Sequence, residues 1–190
     1  MRPALTRLAT FAVAAVVLAG CSKHRTYHNP EMDFASLRTI AVLPFWNLSK
    51  DPQGGDRVRD VFTNALLATN AVYVVPTGEV ARAVSRIGIA SPATPASEDV
   101  VKLCAMLKAD AVITGVLKEY GEVRTSSATA NVVAVSLQMQ EGSSGKIVWA
   151  GSSSKGGVGW GARLLGATAG GPVNDVTEQA VDDLIAQLFK

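Results

Sequence analysis

The sequence predicts an α/β domain: a sheet that begins with a β-α-β unit and later gains an antiparallel hairpin, with helices packed on it in a three-layer-like arrangement. Three observations support this. Residues 39–45 are a continuous apolar run, typical of a strand covered on both faces. Residues 58–66 then carry apolar side chains at helical spacing. Residues 133–140 alternate apolar and polar side chains, which indicates a strand with one wet face.

The remaining elements follow from local signals. In chain order they are a helix after Gly54-Gly55, a strand over 71–75, a helix from Thr77 to Gly88, a helix capped by Ser97 and ending near Lys108, and a strand over 110–117. The first two strands should be parallel with a right-handed crossover. The turn 141–145 should join strands 133–140 and 146–150 as a hairpin. An amphipathic C-terminal helix from about residue 173 should pack across the sheet.

The first twenty residues have the features of a secretory signal: Arg2 and Arg7, then an apolar stretch over 8–18, then small residues. About 11 apolar residues would cross only half of a 30 Å hydrocarbon core. Leu18-Ala19-Gly20-Cys21 resembles the bacterial lipobox. The resemblance implies cleavage between Gly20 and Cys21 and acylation (palmitate and related chains) of Cys21. An ordinary signal with a chance cysteine is the alternative.

The anchor divides the chain into three parts: a signal peptide (1–20), a lipidated N-terminus with a flexible tether (21–36), and one α/β domain (37–190). Ser22 follows the cysteine, where lipoproteins retained at the inner membrane have Asp, so the lipobox resemblance implies a periplasmic protein anchored to the outer membrane. His24 and His28 would form a metal pair only on a helix, and Asn29-Pro30 argues against one.

Charge and cysteine content exclude several classes of protein. Cleavage removes two of the 18 basic residues, which leaves 16 basic and 16 acidic residues, scattered rather than clustered. Nucleic acid is therefore not an expected partner. Once Cys21 is acylated only Cys104 remains, so no intramolecular disulfide can form, and Cys104 should pack as a small hydrophobe.

Several fragments match catalytic motifs in part but lack residues or secondary structure that the corresponding mechanism requires. Two S-x-x-K fragments, at 143–146 and 152–155, lack the helix and the partner motifs that a serine acyltransferase needs. The glycines around 142–146 do not complete a phosphate loop, and no histidine follows His28. The prediction is a non-enzyme with no metal and no cofactor other than the lipid on Cys21.

Residues 158–172 are apolar, rich in glycine, and carry a single charge. Such a segment is not expected simply to face water. Trp160 and Leu164 could plug the edge of the core. Alternatively, Trp160, Arg163, Leu164 and Leu165 could contact another subunit, a partner protein or lipid.

Several motifs together carry a family resemblance: residues 40–45 followed by Asn47, then Val74-Val75-Pro76, then 108–115 and 145–149. This pattern resembles periplasmic lipoproteins with the TolB amino-terminal-like fold, a group that includes the curli secretion channel CsgG, the penicillin-binding-protein activator LpoB and a meningococcal-type lipoprotein family. The resemblance spans about residues 37–189. It departs from the channel in showing only one alternating hairpin, and from the activator in its short tether.

The lipid anchor, the family resemblance and the lack of a recognisable catalytic motif together predict a non-catalytic module. This module would bind other envelope proteins or further copies of itself during envelope assembly. Two alternatives remain open. One is a subunit of a ring-forming, CsgG-like secretion apparatus, and the other is an activator of a peptidoglycan synthase.

Overall fold

The computed structural model describes residues 26–124, 129–157 and 171–190. The strands are β1 (Tyr27–His28), β2 (Thr39–Asn47), β3 (Tyr73–Val74), β4 (Ala111–Arg124), β5 (Thr129–Glu141) and β6 (Ile147–Gly156). The helices are a 3-10 turn (Phe34–Ser36), α1 (Gly54–Ala68), α2 (Thr77–Ile87), α3 (Ser97–Leu107) and α4 (Val173–Leu188).

The six strands form one mixed sheet in the order β1-β6-β5-β4-β2-β3. β2 is parallel to β3 and to β4, whereas β4, β5, β6 and β1 pair antiparallel in succession. The predicted β-α-β unit and the hairpin over the 141–145 turn are both present, so the predicted α/β class is confirmed. None of the described helices has the length and apolar character needed to cross a membrane.

Helices α1 and α4 cover one face of the sheet and form the larger core. Phe62 of α1 and Leu184 of α4 are fully buried there, as is Trp149 of β6. Sheet residues of the same core include Ile40, Val42, Ile113, Leu117, Val133, Val135, Leu137 and Met139. Burial of each large apolar side chain contributes about 1.5–3 kcal/mol, so this layer supplies most of the folding free energy.

On the opposite face, α2 packs over β2, and α3 packs over β4 and β5. Ala41 and Leu43 of β2 share a second, smaller core with Val80 of α2 and Leu103 of α3. Because alternate residues of β2 point into the two cores, the strand is buried on both faces as the apolar run predicts. Helix α2 ends at Gly88, whose φ of 77° is the left-handed cap conformation expected from the sequence.

Three features differ from the sequence-based expectations. β4 continues to Arg124 and pairs with a β5 that already begins at Thr129, so a second long hairpin exists. Ser97 is the first residue of α3 and Ala96 the cap, without a side-chain cap hydrogen bond.

The third difference lies within the predicted tether. Tyr27 and His28 pair with Ala150 and Trp149 of β6. Phe34 makes an edge-to-face ring contact with His28 and packs against the larger core. These contacts tie residues from Tyr27 onward to the domain, and His24, the other member of the possible metal pair, lies outside the described residues.

Candidate interaction surface

The sheet face that carries α2 and α3 is only half covered in the part of the chain that the structure describes. Two rows of paired residues cross the uncovered half. One row contains Trp46, Val116, Ser136 and Ser152, and the other contains Thr114, Gln138, Ala150 and Tyr27. The open face is defined here as these eight residues together with Ala134 and Ile147.

Large apolar side chains border the open face, and small or polar side chains fill its centre. Trp46 is 46% exposed, Tyr27 49% and Ile147 41%. Between them lie Ser136 and other small residues. Next to the loop at 93–95 a shallow cleft of about 280 Å³ is lined by Thr94, Pro95, Thr114, Val116, Ser136, Gln138 and Ile147. Aromatic side chains around a flat, uncharged surface are typical of protein contact sites.

The alternation in β5 produces this surface. Val133, Val135, Leu137 and Met139 point into the larger core, so the residues between them point to the open face. The wet face predicted for β5 is thus confirmed at Ser136 and Gln138. Gln140 differs: it lies on that face but is buried, and its Nε2 donates to the Gly145 carbonyl at 3.3 Å.

The site residues predicted from the sequence, Gly20, Cys21, Trp160, Arg163, Leu164 and Leu165, lie outside the described residues. The described ends of the segment that contains the last four meet at Asn131. The Gly157 N–H donates to the Asn131 carbonyl at 2.9 Å, and the Asn131 Nδ2 donates to the Gly171 carbonyl at 3.0 Å. The segment therefore leaves and rejoins the domain at one point.

The S-x-x-K fragments do not assemble a nucleophile and a base. Strand alternation puts Ser152 on the open face and Lys155 on the opposite one. Ser153 does share a face with Lys155, but both bind the same carboxylate: Ser153 Oγ donates to Asp183 Oδ2 at 2.7 Å, and Lys155 Nζ lies 3.2 Å from that atom. This group fastens α4 to β6. In the turn, Ser144 Oγ donates to Glu141.

Metal binding has no visible basis in the described ranges, because no group of three or more His, Cys, Asp or Glu side chains in them could hold an ion.

Cys104 lies in the smaller core, and its thiol is almost wholly protonated at neutral pH. Burial, and secondarily the negative charge of Asp110, raises the pKa of the thiol from 9.0 to about 12. The folded protein holds the thiol proton more tightly than the unfolded chain, so this group lowers stability as the pH rises from about 9 to 12 and has no effect below that window.

We therefore expect Cys104 to resist iodoacetamide at pH 8 in the folded Cys21→Ser chain and to react fully in urea. The matched control is an added exposed thiol, Ser143→Cys, which should react at once without urea. Mass spectrometry of the products checks both. Rapid native labelling of Cys104 would show that its packing is loose.

Three solved proteins from bacteria share this fold. The L103M variant of PelC, a dodecamer from Paraburkholderia phytofirmans, is 16% identical, with 87% of this chain and 97% of that chain covered and a TM-score of 0.57. Lipoprotein GNA1162 from Neisseria meningitidis is 22% identical, with 80% and 98% covered and a TM-score of 0.55. The hypothetical protein CT253 from Chlamydia trachomatis is 12% identical, with 80% and 96% covered and a TM-score of 0.51.

A comparison with curated proteins finds no match. The sequence itself matches a family model, described as "Putative lipoprotein GNA1162-like", over residues 30–187. This match includes every strand except β1 and every described helix, apart from the last residue of α4, and it confirms the resemblance to the meningococcal-type group. The chain belongs to the GNA1162-like lipoprotein family.

Proposed function

We propose that this protein is a non-catalytic envelope lipoprotein, anchored to the periplasmic side of the outer membrane through Cys21, that works by associating with further copies of itself. The observation that carries this proposal is the open face. Buried sheet faces are normally covered by helices or by a second sheet, and here about half of one face lacks such a cover among the described residues.

A second copy is the occupant that we favour. The ten residues of the open face are uncharged, and Glu119, the strand partner of Ala134, brings one carboxylate to the edge of this face. It therefore matches an uncharged surface like itself better than the charged exterior of an unrelated protein. The dodecameric assembly of PelC, which shares the fold, supports the same choice. Contact between two open faces gives a two-fold dimer, whereas contact between the open face and a different uncharged surface of the next copy closes into a ring when the rotation between neighbours permits it.

A photocrosslinking amino acid at Ser136 tests the proposal, in cells that express two differently tagged copies. We expect an adduct that carries both tags. The matched control is the same group at Gln179, which is exposed on α4 on the other side of the sheet. Adducts formed only with a different envelope protein would show that this protein, and not a second copy, binds the open face. Equal crosslinking from Ser136 and Gln179 would refute a specific contact at the open face.

The membrane anchor is tested by Cys21→Ser. Because the thiol is the acylation site in the lipobox, this variant should accumulate as unprocessed, unacylated precursor. Ser22→Asp is the matched control: it should be processed and acylated normally but stay at the inner membrane. Membrane fractionation and the mass of the N-terminal peptide measure both outcomes. Normal processing of the Cys21→Ser variant would contradict the proposal that Cys21 carries the lipid anchor.

A further inference from the structure

The cleft on the open face has the size and chemistry to receive one aromatic side chain. Pro95, Val116 and Ile147 give it apolar walls, and Thr114 and Ser136 bring hydroxyl groups to it. Its volume is about 280 Å³, whereas an apolar cavity of about 150 Å³ is enough to hold a benzene ring. A ring that carries a hydroxyl group would therefore fit the cleft and find a hydrogen-bond partner in it.

Tyr73 is the side chain of this protein that best matches the cleft. The sequence contains three tyrosines. Tyr27 belongs to the open face itself, and Tyr120 packs against the larger core. Tyr73 is 61% exposed, the largest fraction among the large apolar side chains of the described residues. It lies in β3, at the edge of the sheet, and exposed tyrosines that enter a pocket on a partner are frequent centres of protein contacts.

The surface around Tyr73 is apolar and has balanced charges. Tyr73, Pro76 and the 48% exposed Leu67 line a cleft of about 560 Å³ between α1 and β3. Asp60 is the only charged side chain among the described residues that line it. Arg38 is next to Tyr73, because its carbonyl accepts the Tyr73 N–H at 2.7 Å. Since these two charges are opposite, the surface suits the uncharged open face of a second copy.

The β3 edge favours contact through side chains over the addition of a strand. The N–H groups of Tyr73 and Val75 donate inward, toward β2. The N–H of Val74 therefore points outward. The next outward position is Pro76, which has no N–H. A partner strand would gain a single N–H donor from residues 73–76, too little to hold it.

The surface around Tyr73 and the cleft on the open face lie on different parts of the sheet. β3 is the last strand at one edge, whereas the cleft lies over β4, β5 and β6. Helix α2 begins at Thr77, soon after β3, and packs over β2, so it stands between the two surfaces. One copy can therefore offer Tyr73 to one neighbour while its cleft receives the tyrosine of another.

We propose that Tyr73 of one copy inserts into the cleft on the open face of the next copy, with its ring against the apolar walls and its hydroxyl group on the polar side chains. The inference rests on the proposed self-association through the open face, and it adds the surface of the second copy that the open face binds. Because the two surfaces differ, the contact is head-to-tail and closes into a ring when the rotation between neighbours permits it.

Mixing two variants tests this contact. Tyr73→Ala removes the inserted side chain, and Ser136→Trp fills the cleft. We expect each acylated variant alone to be monomeric in detergent micelles by light scattering. An equimolar mixture should form a dimer and nothing larger, because the Ser136→Trp copy still offers Tyr73 and the Tyr73→Ala copy still offers an open cleft.

Two further variants serve as controls. Phe189→Ala removes a side chain that is 48% exposed directly after α4, outside both surfaces, so this variant should assemble as the wild type does. Tyr73→Phe keeps the ring and loses one hydrogen bond, so it should still assemble, with a Kd between copies raised about two- to tenfold. Thermal melts verify that each variant is folded, and Trp46→Ala replaces Ser136→Trp if the latter is not.

A Tyr73→Ala variant that assembles as the wild type does would overturn the contact at Tyr73 and favour pairing of two open faces. A mixture of the two folded variants that remains monomeric would overturn it as well. In both cases the wild-type protein still assembles. A wild-type protein that is itself monomeric would instead contradict the proposed self-association, and with it the contact.

Discussion

Trp149→Ala lowers the free energy of unfolding by about 3–5 kcal/mol, the cost of emptying a large aromatic site in a well-packed core. Trp149 is 0% exposed and belongs to the larger core. Its ring lies against Gly151, where an added Cβ would stand 2.7 Å from Cζ2, so the neighbouring backbone is already in close contact with it. Collapse of the surroundings into the cavity should be small for the same reason.

Trp46→Ala is the matched control for this prediction. The same side chain is removed from the same sheet, but from a position that is 46% exposed, so the cost should be within about 1 kcal/mol. Urea denaturation of the non-acylated chains, followed by circular dichroism, gives both values. Equal destabilisation by the two substitutions would contradict the assignment of Trp149 to the core and Trp46 to the open face.

Gly156→Ala has the second largest expected effect, roughly 2–4 kcal/mol of destabilisation. Gly156 has a φ of 82°, and a Cβ built there would collide with the carbonyl oxygen of Asn131. Strain from the backbone conformation adds to that collision. The substitution should also loosen the point at which the 158–170 segment begins.

Gly88→Ala separates the two contributions to that cost. Gly88 has a similar φ of 77°, but no atom lies within 4 Å of an added Cβ, so only the conformational strain of about 1 kcal/mol is expected. Thermal and urea denaturation of the two variants measure the difference. If Gly88→Ala costs as much as Gly156→Ala, the steric account of Gly156 is wrong.

The sequence predicted best where burial dictates the pattern. β2 was predicted correctly because both of its faces are covered, so every residue from Ile40 to Leu43 had to be apolar. The distal part of β4, from Lys118 to Arg124, was missed because four of those seven residues are charged. Those residues are held as a strand by pairing with β5, and tertiary pairing of this kind leaves little trace in hydropathy.

The open face was only half predictable. Alternation in β5 indicated its wet side, but nothing in the run 39–45 showed that Trp46, one residue beyond it, would be exposed. The reason is a mismatch in length. Helices α2 and α3 have 11 residues each, about 16 Å, whereas β4 has 14 residues, about 46 Å. The helices cannot cover the strand, and their lengths relative to the sheet appear only in three dimensions.

Light scattering of the acylated protein in detergent micelles tests most directly the claim that the open face joins copies of the chain. The account predicts a discrete protein mass several times that of one chain, and a shift to the monomer in Trp46→Ala at the same concentration with its thermal stability retained. A wild-type protein that remains monomeric at high concentration, or a Trp46→Ala variant that assembles as the wild type does, would contradict it.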